Sequence, residues 1–132
     1  MPAAERFVRF RSPRPNSHGV RVGVFALANG LARSGALSAA EHERWRRGNA
    51  WFEAAYADPT LTDPAAYDRA ANPGAVAWFR AGASGLIART ALYTELLDAH
   101  GVPWERVETD DPGRVVFEDA VQVIAVPWTP AP

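Results

Sequence analysis

Nine residues near the N-terminus, Arg11-Ser12-Pro13-Arg14-Pro15-Asn16-Ser17-His18-Gly19, hold the densest set of groups able to do chemistry in this chain. Arg11 and Arg14 carry forked, permanently charged donors suited to clamping an anion. Asn16 and Ser17 add neutral donors, and His18 adds an imidazole, the side-chain type suited to acid–base work. A loop that runs from a strand into a helix N-terminus also points unpaired backbone N–H groups outward, where anions gather. The spacing marks 11–19 as a candidate anion site, with Arg11, Asn16, Ser17 and His18 as its binding residues. A structural reading stands beside it: Asn and Ser cap helices and fix turns, and arginines pair with acids.

Two amides extend that candidate surface. Asn29 sits in the otherwise apolar run FALANGLA, and a buried amide must have partners, whether ligand or loop carbonyl. Asn49 lies in ERWRRGNAWF. At about 100° per residue, Trp45, Asn49, Phe52 and Tyr56 fall within about 60° of one another, leaving Arg44, Arg46, Arg47 and Trp51 on the other arc. Trp45, Phe52 and Tyr56 are then core. Trp51 needs a cover: an arginine of its own helix, the loop at Pro59, or a partner surface.

Acid–base chemistry has two candidates, His18 and Glu118, with Arg11 as anion clamp. Glu118-Asp119 ends a strand, and a carboxylate there can act as a base when neighbours shift its pKa. Asp119 reads equally well as a turn residue. Neither a nucleophile elbow nor HxxxH or HxH spacing among His18, His42 and His100 is present, so no metal or other cofactor is expected.

Two absences exclude whole mechanisms. The chain has no cysteine, and all fourteen of its basic residues are arginine. Thiolate nucleophiles, disulfides, Cys-bound zinc, Schiff bases and a Walker-type lysine are all ruled out. Nine arginines face three acids in residues 1–50 and five face twelve in residues 51–132, so charges of +6 and −7 cancel to −1. A chain split in this way can neutralise itself by bringing its halves together, and a nucleic-acid partner is not expected. No apolar run approaches a membrane span, and MPAAERFVRFR lacks a signal peptide's apolar segment, so a soluble cytoplasmic protein is expected.

The elements that must position these groups follow from pattern. Residues 1–132 are long enough for one globular domain with a single core. RFVRFR alternates as a half-buried strand with Val8 and Phe10 on one face. Val22 to Arg33 reads as a buried helix ended by Gly35, and Ser38-Ala39-Ala40-Glu41 is a capping box that starts a second helix running to about Tyr56, before the stop at Asp58-Pro59. Thr62-Asp63-Pro64 opens a short helix over AAYDRAA, and Asn72-Pro73 repeats the device. From Ala75, Trp78, Gly82, Leu86, Arg89, Tyr93 and Leu96 keep helical spacing to His100-Gly101, which predicts the longest helix, a break near Arg89 or Thr90 being the alternative. Gly82 and Gly85 then suggest close packing of another element. WERVET, RVVFE and VQVIAV follow as an antiparallel meander, with turns at Asp110–Gly113 and Asp119-Ala120, and PWTPAP closes as a strap. The expectation is an α+β fold: an antiparallel sheet of three or four strands, made by the N-terminal strand and the C-terminal meander, with three to four helices inserted between.

The runs RFRSPRPNSHG, GVFALANGLARSGALS, WRRGNAWFEAAYADP, NPGAVAWFR and DPGRVVFEDAVQVIAVP together resemble a family of small uncharacterised proteins of Streptomyces and related actinobacteria, over nearly the whole chain. The resemblance implies a self-contained cytoplasmic domain from a GC-rich organism and carries over no catalytic residue. The leading expectation from the residues is a domain that binds an anionic small molecule or an acidic partner segment at 11–19, beside Asn29 and Asn49. The alternatives are an enzyme of the same pocket, transferase-like, and a structural or self-associating protein acting through Trp51 or an open sheet edge, with a homo-oligomer left open.

Overall fold

The structure, a computed structural model, describes residues 5–55, 63–68 and 70–128. Along the chain lie β1 (Phe7–Arg11), α1 (Val24–Arg33), α2 (Ala39–Ala55), β2 (Val76–Arg80), α3 (Ser84–Arg89), α4 (Ala91–Ala99), β3 (Glu105–Thr109), β4 (Arg114–Glu118) and β5 (Gln122–Val126). The fold is α+β, with one antiparallel five-stranded sheet in the order β3-β1-β2-β5-β4. Among the described residues, no helix is long and apolar enough to cross a membrane.

Local signals set the helix ends. Ser38 Oγ accepts the Glu41 N–H at 3.1 Å and Glu41 Oε1 accepts the Ser38 N–H at 2.9 Å, the reciprocal bonds of a capping box. Gly35 takes φ +77° just past α1, and the Ala36 N–H reaches back to the Leu31 carbonyl, closing the helix with the left-handed residue that only glycine adopts without cost. Asp63 Oδ1 accepts the Ala65 N–H, but residues 64–67 form a turn instead of a helix. Tyr56, Asp58, Pro59, Thr62 and residues 129–132 of the expected strap lie outside the described residues.

The predicted long helix from Ala75 is wrong in its first third. Val76–Arg80 is a strand, with Trp78 paired to Val123 and Phe79 to Gln122. Val76-Ala77-Trp78-Phe79 is apolar on both faces because both faces of β2 are covered, and such a run has no strand periodicity to betray it. Its β-branched and aromatic residues suit the pleated surface. The anticipated break does occur at Thr90, whose hydroxyl donates to the Ile87 carbonyl between α3 and α4. A Cβ on Gly82 or Gly85 would meet nothing within 4 Å, so those glycines mark open turns and not close packing. The close approach is at Gly48, where a Cβ would overlap Leu92 Cδ2 and lie 3.2 Å from Tyr93 Oη.

Sheet order also overturns the meander. Only β4 and β5 form the expected hairpin, whereas β3 pairs with β1 at the far edge. Four residues, 110–113, join β3 to β4, although a flat sheet would hold those edges about 19 Å apart, four strand spacings. Successive antiparallel pairings also make the two strands run in the same sense. Five Cα steps reach at most about 18 Å, so the sheet is not flat and coils to bring β3 within reach of β4. Gly113, at φ +122° and against the Val126 carbonyl, admits that passage.

β1 lies between β3 and β2 and is buried on both faces, not half-buried: Phe7, Val8 and Arg9 are all in the interior. One sheet face, with Phe10 and Phe79, packs against Val24, Ala28, Phe52, Leu86, Tyr93 and Leu97 of the helices. The other gathers Phe7, Trp78 and Val123 with Val76 and Val107. Both open edges are blunted, β4 by a bulge between Val115 and Phe117 and β3 by its charged residues Glu105, Arg106 and Glu108.

Candidate functional site

The loop after β1 folds back on itself before any helix begins. The Ser12 N–H donates to the Val22 carbonyl, the Asn16 N–H to the Val20 carbonyl, and Arg11 bridges Gly23. Asn16 Oδ1 accepts the N–H groups of His18 and Val20 at 2.9 and 3.1 Å, and Gly19 completes the turn at φ +75°. The amide of Asn16 thus acts within its own turn. Ser17 and His18 are exposed at the tip. Helix α1 starts only at Val24, behind Gly23, so the loop does not feed straight into a helix N-terminus. Arg11 Nε donates to Glu105 Oε1 at 2.9 Å across the β1–β3 ladder.

Asn29 and Asn49 are brought together elsewhere. Trp45 Nε1 donates to Asn29 Oδ1 at 2.8 Å, Asn49 Nδ2 approaches the same oxygen at 3.4 Å, and Tyr93 Oη donates to Asn49 Oδ1 at 2.6 Å. Three helices, α1, α2 and α4, are tied by this network. Among the described residues, no hydrogen bond or ion pair joins it to Arg11, Asn16 or Ser17.

Glu118 accepts from Arg80 Nη2 at 3.3 Å at the end of the sheet, and Arg80 also binds Glu5 at 2.6 Å. Arg80 is registered against Phe7, four residues from Arg11 along β1, about 13 Å of strand. Arg11 and Glu118 therefore do not converge. Asp119 Oδ1 accepts the N–H groups of Val121 and Gln122, the turn role its position suggested. Among the described residues, no group of three His, Asp or Glu could hold a metal ion.

Two charged sites escaped the sequence reading. Arg9 points its guanidinium into the protein, donating to the carbonyls of Ala77 at 2.9 Å and Arg21 at 2.6 Å. Burial, then the neighbouring charge of Arg11, pull its pKa down to about 10. No carboxylate pairs with it among the described residues. Alternation along β1 put Arg9 on a face with Phe7 and Arg11, which looked solvent-facing because β1 was read as half-buried.

The second is a cleft between α2 and the α3–α4 corner. Arg44, Arg47, Gly48, Trp51 and Phe52 recur at three- and four-residue spacing on α2 and face Arg89 and Leu92, enclosing about 210 Å³. Trp51 stands edge-on to Phe52, ring centroids 5.1 Å apart, and Arg89 lies over the indole at 4.2 Å. The cover of Trp51 is thus a cation–π stack with an arginine from another element. Arg44 binds Glu95 at 2.7 Å and Arg47 binds Glu43 at 3.1 Å. Arg89 has no carboxylate partner among the described residues. The cleft has an apolar floor of Trp51, Phe52 and Leu92 and a rim of three guanidiniums.

The chain matches no protein-family model, no curated protein and no solved structure.

Proposed function

We propose that this domain binds an anionic small molecule and that the cleft between α2 and the α3–α4 corner is its site. One observation carries the reading: Arg89, which has no carboxylate partner among the described residues, presents a guanidinium laid on Trp51 to a 210 Å³ cleft that Arg44 and Arg47 also line. Arg44 and Arg47 each have a carboxylate partner, whereas Arg89 adds a charge that an anion in the cleft can balance. The 11–19 loop is the second place for a ligand of the same class, with Arg11 and the loop-tip residues Ser17 and His18 as its contacts. Its case is weaker because Arg11 and Asn16 already have protein partners.

Thermal stabilisation by a panel of carboxylates and phosphates, at constant ionic strength, tests the proposal on the full chain. Stabilisation lost in Arg89→Gln and kept in Arg11→Ala and His18→Ala is the expected result. Stabilisation that survives Arg89→Gln but disappears in Arg11→Ala moves the site to the loop. No stabilisation of the wild type by any member of the panel ends the binding reading.

A further inference from the structure

The cleft is amphipathic in a way that restricts what it holds. Its floor is apolar and includes two aromatic rings, Trp51 and the buried Phe52, while charge is confined to the rim. A fully hydrated anion such as phosphate would leave that apolar floor against water. The volume, about 210 Å³, is smaller than the roughly 300–1,000 Å³ of drug-sized sites. A closed apolar cavity of about 150 Å³ accommodates benzene, so the space here suits one ring with a short charged substituent. Two planar groups, the Trp51 indole and the Arg89 guanidinium, already stack at 4.2 Å, which makes the lining selective for flat over puckered ligands.

The rim shows where the charged end goes. Glu95 and Glu43 sit on Arg44 and Arg47, so carboxylates already occupy those guanidiniums. Both pairs are largely exposed, with the side chains of Arg44 and Glu95 51% and 61% accessible, and exposed pairs of this kind hold weakly. A ligand carboxylate can take the place of either. Resting on the cleft as the ligand site, we propose that the ligand is a single-ring aromatic carboxylate, its ring against Trp51 and Arg89 and its carboxylate on Arg44 or Arg47 in exchange for Glu95 or Glu43.

The test compares benzoate, cyclohexanecarboxylate and inorganic phosphate, titrated against the full chain at constant ionic strength. The readout is the Trp51 indole N–H resonance, assigned by its loss in Trp51→Phe. Benzoate is expected to bind about three- to fivefold tighter than cyclohexanecarboxylate, the effect of a cation–π contact near a surface. Arg89→Gln should remove that preference, and Glu95→Gln should tighten benzoate about two- to threefold by removing the competing carboxylate. Equal affinity for the two ring acids overturns the aromatic ligand while leaving an anion cleft. Phosphate bound as tightly as benzoate, with dependence on Arg89, overturns the carboxylate class but again keeps the cleft. A Trp51 resonance that moves with none of the three overturns both this inference and the cleft as binding site.

Discussion

Replacing Asn29 by leucine separates a structural amide from a ligand-binding one. Asn29 Oδ1 is the acceptor for Trp45 Nε1 at 2.8 Å and lies 3.4 Å from Asn49 Nδ2, and all three side chains are half-buried. An interior donor left without an acceptor costs about 1–3 kcal/mol; with one good bond, one weak bond and partial solvent access, about 2 kcal/mol is the expected loss. Leucine is the better helix former by roughly 0.5 kcal/mol, which reduces the net loss to about 1.5 kcal/mol. Unfolding entropy of about 2.1 cal/mol/K per residue makes each kcal/mol worth roughly 4 °C for a chain of this length, so Tm should fall by about 5 °C. Asn49→Leu should cost more, because it removes the acceptor of the 2.6 Å bond that Tyr93, a fully buried residue, donates.

Thermal and urea unfolding followed by circular dichroism measure both single variants and the double. The two losses share one network, so the double variant should lose less than the sum, by at least about 0.5 kcal/mol. Additivity within error, or an Asn29→Leu protein as stable as the wild type, would refute the network as a stabilising unit. If Asn29→Leu instead keeps its Tm and loses the response to benzoate, the amide belongs to a ligand site.

Three further predictions follow from charge and packing. Ser38 N–H first, and then His100, hold the Glu41 carboxyl below the usual carboxylate range; a depressed acid stabilises the fold above its unfolded pKa and loses that contribution as pH falls through the folded value, so the stability gap between wild type and Glu41→Gln should be full above about pH 5 and shrink in more acid solution. Arg9→Lys should be more destabilising than Arg9→Met at pH 7, because the ammonium keeps the desolvation penalty and cannot fork between the Ala77 and Arg21 carbonyls; burial lowers its pKa, so its stability should recover as pH rises toward the free lysine value of about 10.4, while an Arg9→Lys curve flat between pH 7 and 10 would contradict the burial. Gly48→Ala should lose about 1 kcal/mol or more instead of gaining the usual helix propensity, since its Cβ displaces Leu92, and it should weaken benzoate binding because Leu92 also lines the cleft; a stabilised Gly48→Ala protein would show that Leu92 has room to move aside.

What could be read from the sequence was local. The Ser38–Glu41 box, the glycine stop at Gly35 and the strands RVVFE and VQVIAV are each set within a few residues, and each stands where it was expected. The alternation of β1 assigned Val8 and Phe10 to one face correctly but not the depth of the strand, which depends on neighbours far along the chain. β2 was missed for the same reason: its apolar run is explained only by covers on both faces. The helical wheel turned Asn49 inward, yet its partners Asn29 and Tyr93 come from two other helices. The sheet order was beyond reach, because a four-residue link reads as a hairpin until the coiling of the whole sheet is known.

The charge split has the most to say about the cleft. Arg6, Arg11 and Arg44 from the basic first half meet Glu108, Glu105 and Glu95 from the acidic second half, so the halves do neutralise one another across the fold. Arg89 breaks that pattern. It comes from the acidic half, where five arginines face twelve acids, and the corner at Thr90 nevertheless carries it to the basic face of α2, opposite Arg44 and Arg47. Folding gains from Arg89 the stack on Trp51 and a cation at the last turn of α3, and sets against them the repulsion of Arg44 and Arg47. A local choice that opposes the trend of the whole chain marks the places where a fold serves something besides its own stability. Replacing Arg89 should therefore cost no more than the stack on Trp51 contributes, about 0.5–1 kcal/mol, and the larger loss should be seen in anion binding.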